Sequence, residues 1–309
     1  QGYSDITVVV SSEASGGGEK EDIEQIRFLA PKIYEIQDRA LNAFDYSVLI
    51  KKNFPFVRSV ISWGGEENDP PLYGDVLISV LAENFTLIPQ SIKSQIIDFL
   101  KDYNVGSVTP LIVDPIIFGL NVNVDFTFDN RLTSKTSQQL SSSIITTVQS
   151  YSDNQLGDFD RFFNESKVVD MLMDIDGVES VVVTKDLFYD LIPLRFANPN
   201  YLIDFKNSIV PGSIEMTGFE ISTGATNTRL YDDLNGTIVV SYVNQLGVVV
   251  SNTVGTVDYD SGEIEFSINM IQSSNDLVRI KCTPNKDNIS VGQNTVMFID
   301  SITTQLVQR

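Results

Sequence analysis

Residues 120–128 alternate without a break: Leu120, Val122, Val124, Phe126 and Phe128 are apolar, and Asn121, Asn123, Asp125 and Thr127 between them are polar. Side chains on a strand point to opposite faces in turn, so a strict period of two gives one packed face and one wet face. The segment therefore predicts a strand in an antiparallel or open sheet rather than a strand buried on both sides.

The flanking chain reads as mixed helix and strand. A helix over 42–53, with apolar Phe44, Val48 and Leu49, leads to a strand at Val57–Trp63. A Gly/Glu/Pro loop over 64–71 precedes a second strand at Asp75–Ala82. Pro89 opens a helix to about Lys101, since proline suits a first helical turn. After the alternating strand, Leu140, Ile144 and Val148 recur at i, i+4 and i+8 of a helix over about 134–151. Another helix at Glu165–Asp174 ends before a strand at Val178–Thr184. The run Val57-Arg58-Ser59-Val60-Ile61 shares its pattern with Val178-Glu179-Ser180-Val181-Val182, each after an amphipathic helix and a short break. A true repeat would give two thin lobes, each needing its neighbour.

Beyond about residue 190, Pro193, Pro199 and Pro211 punctuate a loop-rich stretch. Strand signals follow at 236–243, 247–254, 255–259, 263–269 and 277–283. Asp260-Ser261-Gly262 supplies turn chemistry for a hairpin, with Ile264, Phe266 and Ile268 alternating after it. The expected fold class is α/β of the α+β type: two small helix-and-sheet lobes from a candidate internal repeat, then a mostly β C-terminal domain. The expected domains are 1–40, a strand and helix left from a longer chain, 41–190, carrying the two repeated units, and 191–309, rich in β-structure. The opening run Ile6–Val10 looks like a strand without a neighbour, which is why a longer parent chain is expected.

The stretch from Gly16 to Tyr46 is built for architecture rather than catalysis. A glycine triplet feeds a helix whose first turn holds Glu19, Glu21 and Asp22, where carboxylates suit the positive end of the helix dipole. Ile23, Ile26 and Leu29/Ala30 give it an apolar face, and Pro31 is expected to stop it. An Arg-Ala-Leu-x-Ala-x-Asp-Tyr segment, Arg39 to Tyr46, starts the next helix, and Asn42 there caps as well as threonine would.

On these residues the chain resembles the baseplate J-like family of contractile-tailed phages. The matching positions are Gly17, Gly18, Glu21, Ile23, Glu24 and Arg27, then Arg39, Ala40, Leu41, Asp45 and Tyr46, with Leu41 and Asn42 in place of the usual Val and Thr. The resemblance runs to about Val183 and assigns 41–190 to the family's paired α/β units. It implies a structural protein of the virion tail baseplate, assembled in the host cytoplasm. It also implies self-association as a dimer or a larger ring around a central hub, contacts to other baseplate wedge proteins, and rearrangement on host contact. Gly17, Gly18, Glu21, Glu24, Arg27, Arg39, Asp45 and Tyr46 are expected as structural motif residues. In particular, Asp45 and Tyr46 should fix a helix to its neighbours.

Composition limits the chemistry. The chain has 309 residues and a formal charge of −20, with 21 basic residues against 41 acidic ones. Such a surface repels phosphate backbones, so no nucleic-acid partner is expected. Histidine is absent and Cys282 is the sole cysteine. That removes imidazole-based nucleophile systems, zinc sites and any disulfide within the chain. The glycine triplet lacks the Gly-Lys-Ser/Thr ending of a phosphate-binding loop. Neither Gly157 nor Gly262 anchors a calcium loop with acids at the required positions. No cofactor, metal, catalytic residue or membrane insertion is expected, since the apolar run 105–120 is cut by Pro110, Asp114 and Pro115. Two alternatives stay open. One is a polysaccharide-binding module on the C-terminal β region, which would show an exposed aromatic cleft. The other is a carboxylate-based carbohydrate-active enzyme. Trp63 is read either as a sugar-stacking platform or, more simply, as packing at a strand end.

Overall fold

In the computed structural model of this chain, residues 23–309 are described apart from 38, 69, 84, 105–107, 130, 132, 195–198, 222–224, 271–276, 290–291 and 308–309. The chain divides into two compact units between Pro115 and Ile116. The expected strand at Ile6–Val10, the glycine triplet and the acidic turn at 19–22 lie outside the described residues.

The first unit contains α1 (Ile23–Ile36), α2 (Ala43–Asn53), β1 (Val57–Gly64), β2 (Asp75–Ala82), α3 (Gln90–Lys101) and β3 (Thr109–Val113). Its sheet has the order β1-β2-β3; the first pair is antiparallel and the second parallel, with α3 as the crossover that parallel neighbours require. Strand β2 is central, and Val76, Leu77, Ile78, Val80 and Leu81 are all buried along with Ser79 between them, so its burial is continuous rather than alternating. Val48, Leu49 and Ile50 from α2 and Ile96 and Leu100 from α3 pack with Ile78 and Val80. Trp63 is 7% exposed, as its packing reading requires.

Helix α1 departs from expectation in two ways. It runs through Pro31 to Ile36, although an interior proline removes one hydrogen bond and crowds the carbonyl four residues back. The turn beyond Pro31 is held because Ile36 is buried and Ile33 partly buried in the cluster around α2. Two residues of the predicted apolar face are also exposed: Ile23 at 69% and Ile26 at 45%.

The second unit contains β4 (Ile116–Phe128), α4 (Ser137–Gln155), β5 (Phe163–Asn164), α5 (Glu165–Met173), β6 (Val178–Leu191), β7 (Asn200–Asp204), β8 (Glu215–Thr217), β9 (Thr226–Asp232) and β10 (Thr237–Val243). β11 (Val249–Asp258), β12 (Glu263–Ser267), β13 (Val278–Cys282), β14 (Asn288–Ile289) and β15 (Thr295–Leu306) complete it. Strands β5 and β14 pair with each other, and the other strands form one sheet of ten in the order β15-β4-β6-β13-β8-β9-β10-β11-β12-β7. Phe205, just past the last strand of that row, stacks on Phe118 of β4 with ring centroids 5.2 Å apart. The sheet therefore curls back over its own beginning.

Strand β4 fulfils its pattern. Leu120, Val122, Val124 and Phe126 are buried in one core with Leu140, Ile144 and Val148 of α4 and Val168 and Leu172 of α5. Its polar residues form a ladder on the other face. Ser301 Oγ donates to Asn121 Oδ1 at 2.7 Å and Thr303 Oγ1 to Asn123 Oδ1 at 2.8 Å, while the Thr127 and Ser180 hydroxyls lie 2.7 Å apart. β15 lies parallel to β4 on one side and β6 antiparallel on the other.

Gly119 on β4 faces Phe188 on β6 across the ladder. A Cβ at Gly119 would sit 1.9 Å from the Phe188 ring, so glycine here makes a trough that the ring fills. The Arg279 guanidinium of β13 lies 3.5 Å from the centre of that ring. It donates twice to Asp190, at 2.7 and 2.9 Å, and once to Asp300 of β15 at 2.8 Å. One side chain thus ties β13, β6 and β15 together over a trough in β4. These carboxylates raise the Arg279 pKa above its ordinary value, the Asp190 hydrogen bond contributing most. Lys185 of β6, itself buried, pairs with Glu165 of α5.

The second unit differs from the expected boundary near residue 190. Strand β6 runs through that point to Leu191, and β15 returns to pair with β4. The composition shift near 190 marks a change from helix-rich to strand-rich chain within one unit, not its edge. The two halves of the candidate repeat fall in different units. Each is a helix, a short break and a strand, yet β1 pairs only with β2, which follows it, whereas β6 lies between β4 from earlier in the chain and β13 from later.

Candidate functional site

The Arg39–Tyr46 motif builds a close set of specific contacts in the first unit. Asn42 is the N-cap of α2: its Oδ1 accepts from the Asp45 amide at 3.0 Å, and Asp45 Oδ2 accepts from the Asn42 amide at 3.1 Å and from the Leu41 amide at 2.8 Å. This reciprocal box satisfies amides that a helix start otherwise leaves unpaired. It also sets Asp45 at the positive end of the helix, while Lys51 and Lys52 occupy the last turn.

Tyr46, 2% exposed, then points into the unit and donates to Asn104 Oδ1 at 2.6 Å. Asn104 in turn donates from Nδ2 to the Val108 carbonyl. Two residues before the cap, the Ala40 amide donates to the Tyr103 carbonyl at 2.9 Å. The motif therefore latches the start of α2 onto the segment joining α3 to β3. Burial, with the Asp45 charge adding to it, raises the Tyr46 pKa, which keeps the hydroxyl protonated and donating. At the other end of α2, Lys51 Nζ donates to the carbonyls of Val57 (2.7 Å) and Arg58 (2.5 Å). Ser62 of β1 donates to the Ala43 carbonyl at 2.5 Å and meets the Ser47 hydroxyl.

Of the other predicted motif residues, only Arg39, Arg27 and Glu24 fall among the described residues. Arg39 is exposed and reaches Gln37 Oε1 at 3.3 Å, and Arg27 lies exposed on α1. Glu24 lies within α1, while Gly17, Gly18 and Glu21 lie outside the described residues. Sequence reasoning missed Asn104, Ser62 and the bridging role of Lys51. The only signal for Lys51 was its last-turn position; an asparagine or serine distant in sequence gives none.

The second unit holds a cleft of about 440 Å³ lined in part by Asp186, Glu215, Arg229, Tyr231, Asp232 and Lys281. Its charged side chains are engaged with one another, with the backbone or with neighbouring hydroxyls and rings. Asp232 accepts from the Gly212 amide at 2.5 Å, the Ile214 amide at 3.0 Å and the Tyr259 hydroxyl at 2.6 Å. Asp186 accepts from Thr283 Oγ1 at 2.6 Å, and Glu215 pairs with Lys281 at 2.8 Å. Burial, then the bond to Asp232, pushes the Tyr259 pKa up to about 12. The Tyr231 ring carries the Arg229 guanidinium 4.5 Å from its centre, so the cleft is not an open aromatic platform. Among the described residues there is no group of three Cys, Asp or Glu able to hold a metal ion. No helix among them is long and apolar enough to cross a membrane. Cys282 is buried, which raises its pKa well above the ordinary thiol value and keeps it protonated.

Comparison with known families picks out a stretch of the first unit. Residues 42–113 match the family described as baseplate structural protein gp6, C-terminal domain I. That span starts on the Asn42 cap and ends with the last residue of β3. The baseplate wedge protein gp6 of Enterobacteria phage T4 is 25% identical over 214 residues, which is 68% of this chain and 32% of the relative. The chain thus spans about a third of the length of that curated relative. Among solved structures, the baseplate of the anti-feeding prophage shows 13% identity and a TM-score of 0.38 over 54% of this chain and 37% of that one, a likeness too loose to add to the assignment. The stretch from the Asn42 cap to the end of β3 carries the signature of the baseplate gp6 C-terminal domain I, in a chain related to a baseplate wedge protein.

Proposed function

We propose that this chain is a structural subunit of a contractile phage tail baseplate, working through its surfaces rather than through a reaction. The observation that carries this reading is the match of residues 42–113, from the Asn42 cap through β3, to a baseplate structural domain. The geometry supports it. The motif residues brought together act as a cap and a latch, and the cleft's carboxylates are engaged in holding strands. In this reading the subunit resides in the tail baseplate, is assembled in the host cytoplasm, contacts other wedge proteins, and self-associates as a dimer or within a ring. Rearrangement on host contact would move the two units as bodies, since each has its own core.

The test is assembly. Purified chain mixed with the other wedge proteins of the same tail should co-sediment as a defined complex, and light scattering across a wide concentration range should show a species larger than a monomer. Failure to co-sediment would remove the baseplate reading; a strict monomer that still co-sediments would remove only the self-association.

A further inference from the structure

We propose that the loop between β1 and β2 is a docking knob that seats in an aromatic-lined, basic-rimmed groove of a different wedge protein; this rests on the baseplate reading above. The loop presents Pro70, Pro71, Leu72 and Tyr73 in succession, all exposed, with Tyr73 at 82%. An exposed tyrosine beside an exposed leucine and two prolines has the composition of an interface anchor, not of a solvated turn.

The loop is also held in place at its neck. The Gly65 carbonyl accepts from the Leu72 amide at 2.8 Å and from the Asn68 amide at 3.2 Å, and Asn68 Nδ2 donates to the Pro70 carbonyl at 3.3 Å. A Cβ on Gly65 would fall 1.9 Å from the Leu72 carbonyl oxygen, so the closure requires glycine. Below the knob, the Thr109 amide donates to the Gly74 carbonyl at 2.9 Å, joining the loop's exit to β3. Two prolines with fixed φ on such a closed loop have little freedom left to lose on binding.

Two features choose the partner. A proline pair followed by an apolar and an aromatic residue fits a groove walled by aromatic side chains, as extended proline-rich segments do. Glu66 stands exposed beside the knob on a chain of net charge −20, which favours a positive rim and disfavours a second copy of the same loop.

The experiment uses the full chain and the purified wedge proteins of the same tail. Tyr73→Ala, at a side chain with little to lose on the protein's own surface, should leave melting unchanged and weaken co-sedimentation at least tenfold. A photo-crosslinking phenylalanine analogue at position 73 should attach to aromatic and basic residues of a non-identical wedge protein. Undiminished co-sedimentation of Tyr73→Ala overturns the proposal while leaving the baseplate reading intact. So does a crosslink to a second copy of this chain. If the unaltered chain does not co-sediment, both readings fall together.

Discussion

The two units of this protein are held by different means. The first has a three-stranded sheet, too narrow to enclose a large core, and it is fastened by named polar contacts: the Asn42–Asp45 box, the Tyr46–Asn104 latch and Lys51 on the carbonyls of β1. The second encloses an extensive apolar core under a ten-stranded sheet, and its polar contacts mainly fix how strands lie beside one another. Small cores gain proportionately more from each cap and hydrogen bond, because less apolar burial stands behind them. The family match falls on the unit in which individual side chains matter most.

The largest effect should come from cutting the second unit. Deleting Gly212–Arg309 removes β15, the parallel partner of β4, along with the strands from β8 onward. Hydrogen exchange should then show protection lost throughout β4 and β6 but kept over β1–β3. Protection surviving in β4 and β6 would restore a boundary near residue 190. Next is Gly119→Val, which drives a side chain into the Phe188 ring and should destabilise the second unit by roughly 3 kcal/mol in chemical denaturation. An unchanged midpoint would show that the trough is not needed.

In the first unit, Asp45→Ala should cost about 1 kcal/mol through the lost cap, and Tyr46→Phe about 1 kcal/mol through the lost hydroxyl bond. Both losses should appear only in the transition reported by Trp63, the sole tryptophan. A loss seen equally in both units would break the comparison. Tyr259 offers a pH test of the second unit alone. Its folded pKa of about 12 exceeds the ordinary tyrosine value of 10.0, so its contribution is complete below pH 10 and fades as pH rises toward 12. Tyr259→Phe should flatten stability over that window, and a profile identical to the parent's would show that the bond to Asp232 contributes nothing. The last change is a gain. Ser79 Oγ is buried without a hydrogen-bond partner, and Ser79→Ala should raise stability by about 1 kcal/mol.

Local chemistry was legible in the sequence. The alternation of β4, the helical spacing of Leu140, Ile144 and Val148, the Asn42 cap and the Asp260–Gly262 hairpin all follow from residues near one another, and all take the expected form. The helix through Pro31 misled because its support, Ile36 in the α2 cluster, is tertiary. Strand β15 escaped notice because Thr295–Leu306 is polar along its second half and gains its meaning only from β4. In the site, Asp45 was readable as a helix-start acid. Its neighbour's partner Asn104 lies 58 residues downstream and carries no mark of the role.

The parallel pairing of β15 with β4 has a consequence for synthesis. Thr303 and Asn123, which share a hydrogen bond, are 180 residues apart in the chain. As the ribosome delivers the chain from its amino end, the capped first unit can form while β4 waits, one of its two edges unpaired, until β15 emerges. The wet ladder face suits that wait. Asparagine, aspartate and threonine keep an unfinished strand from adhering to other nascent chains, so the polar half of β4 protects the protein before it helps to hold it together.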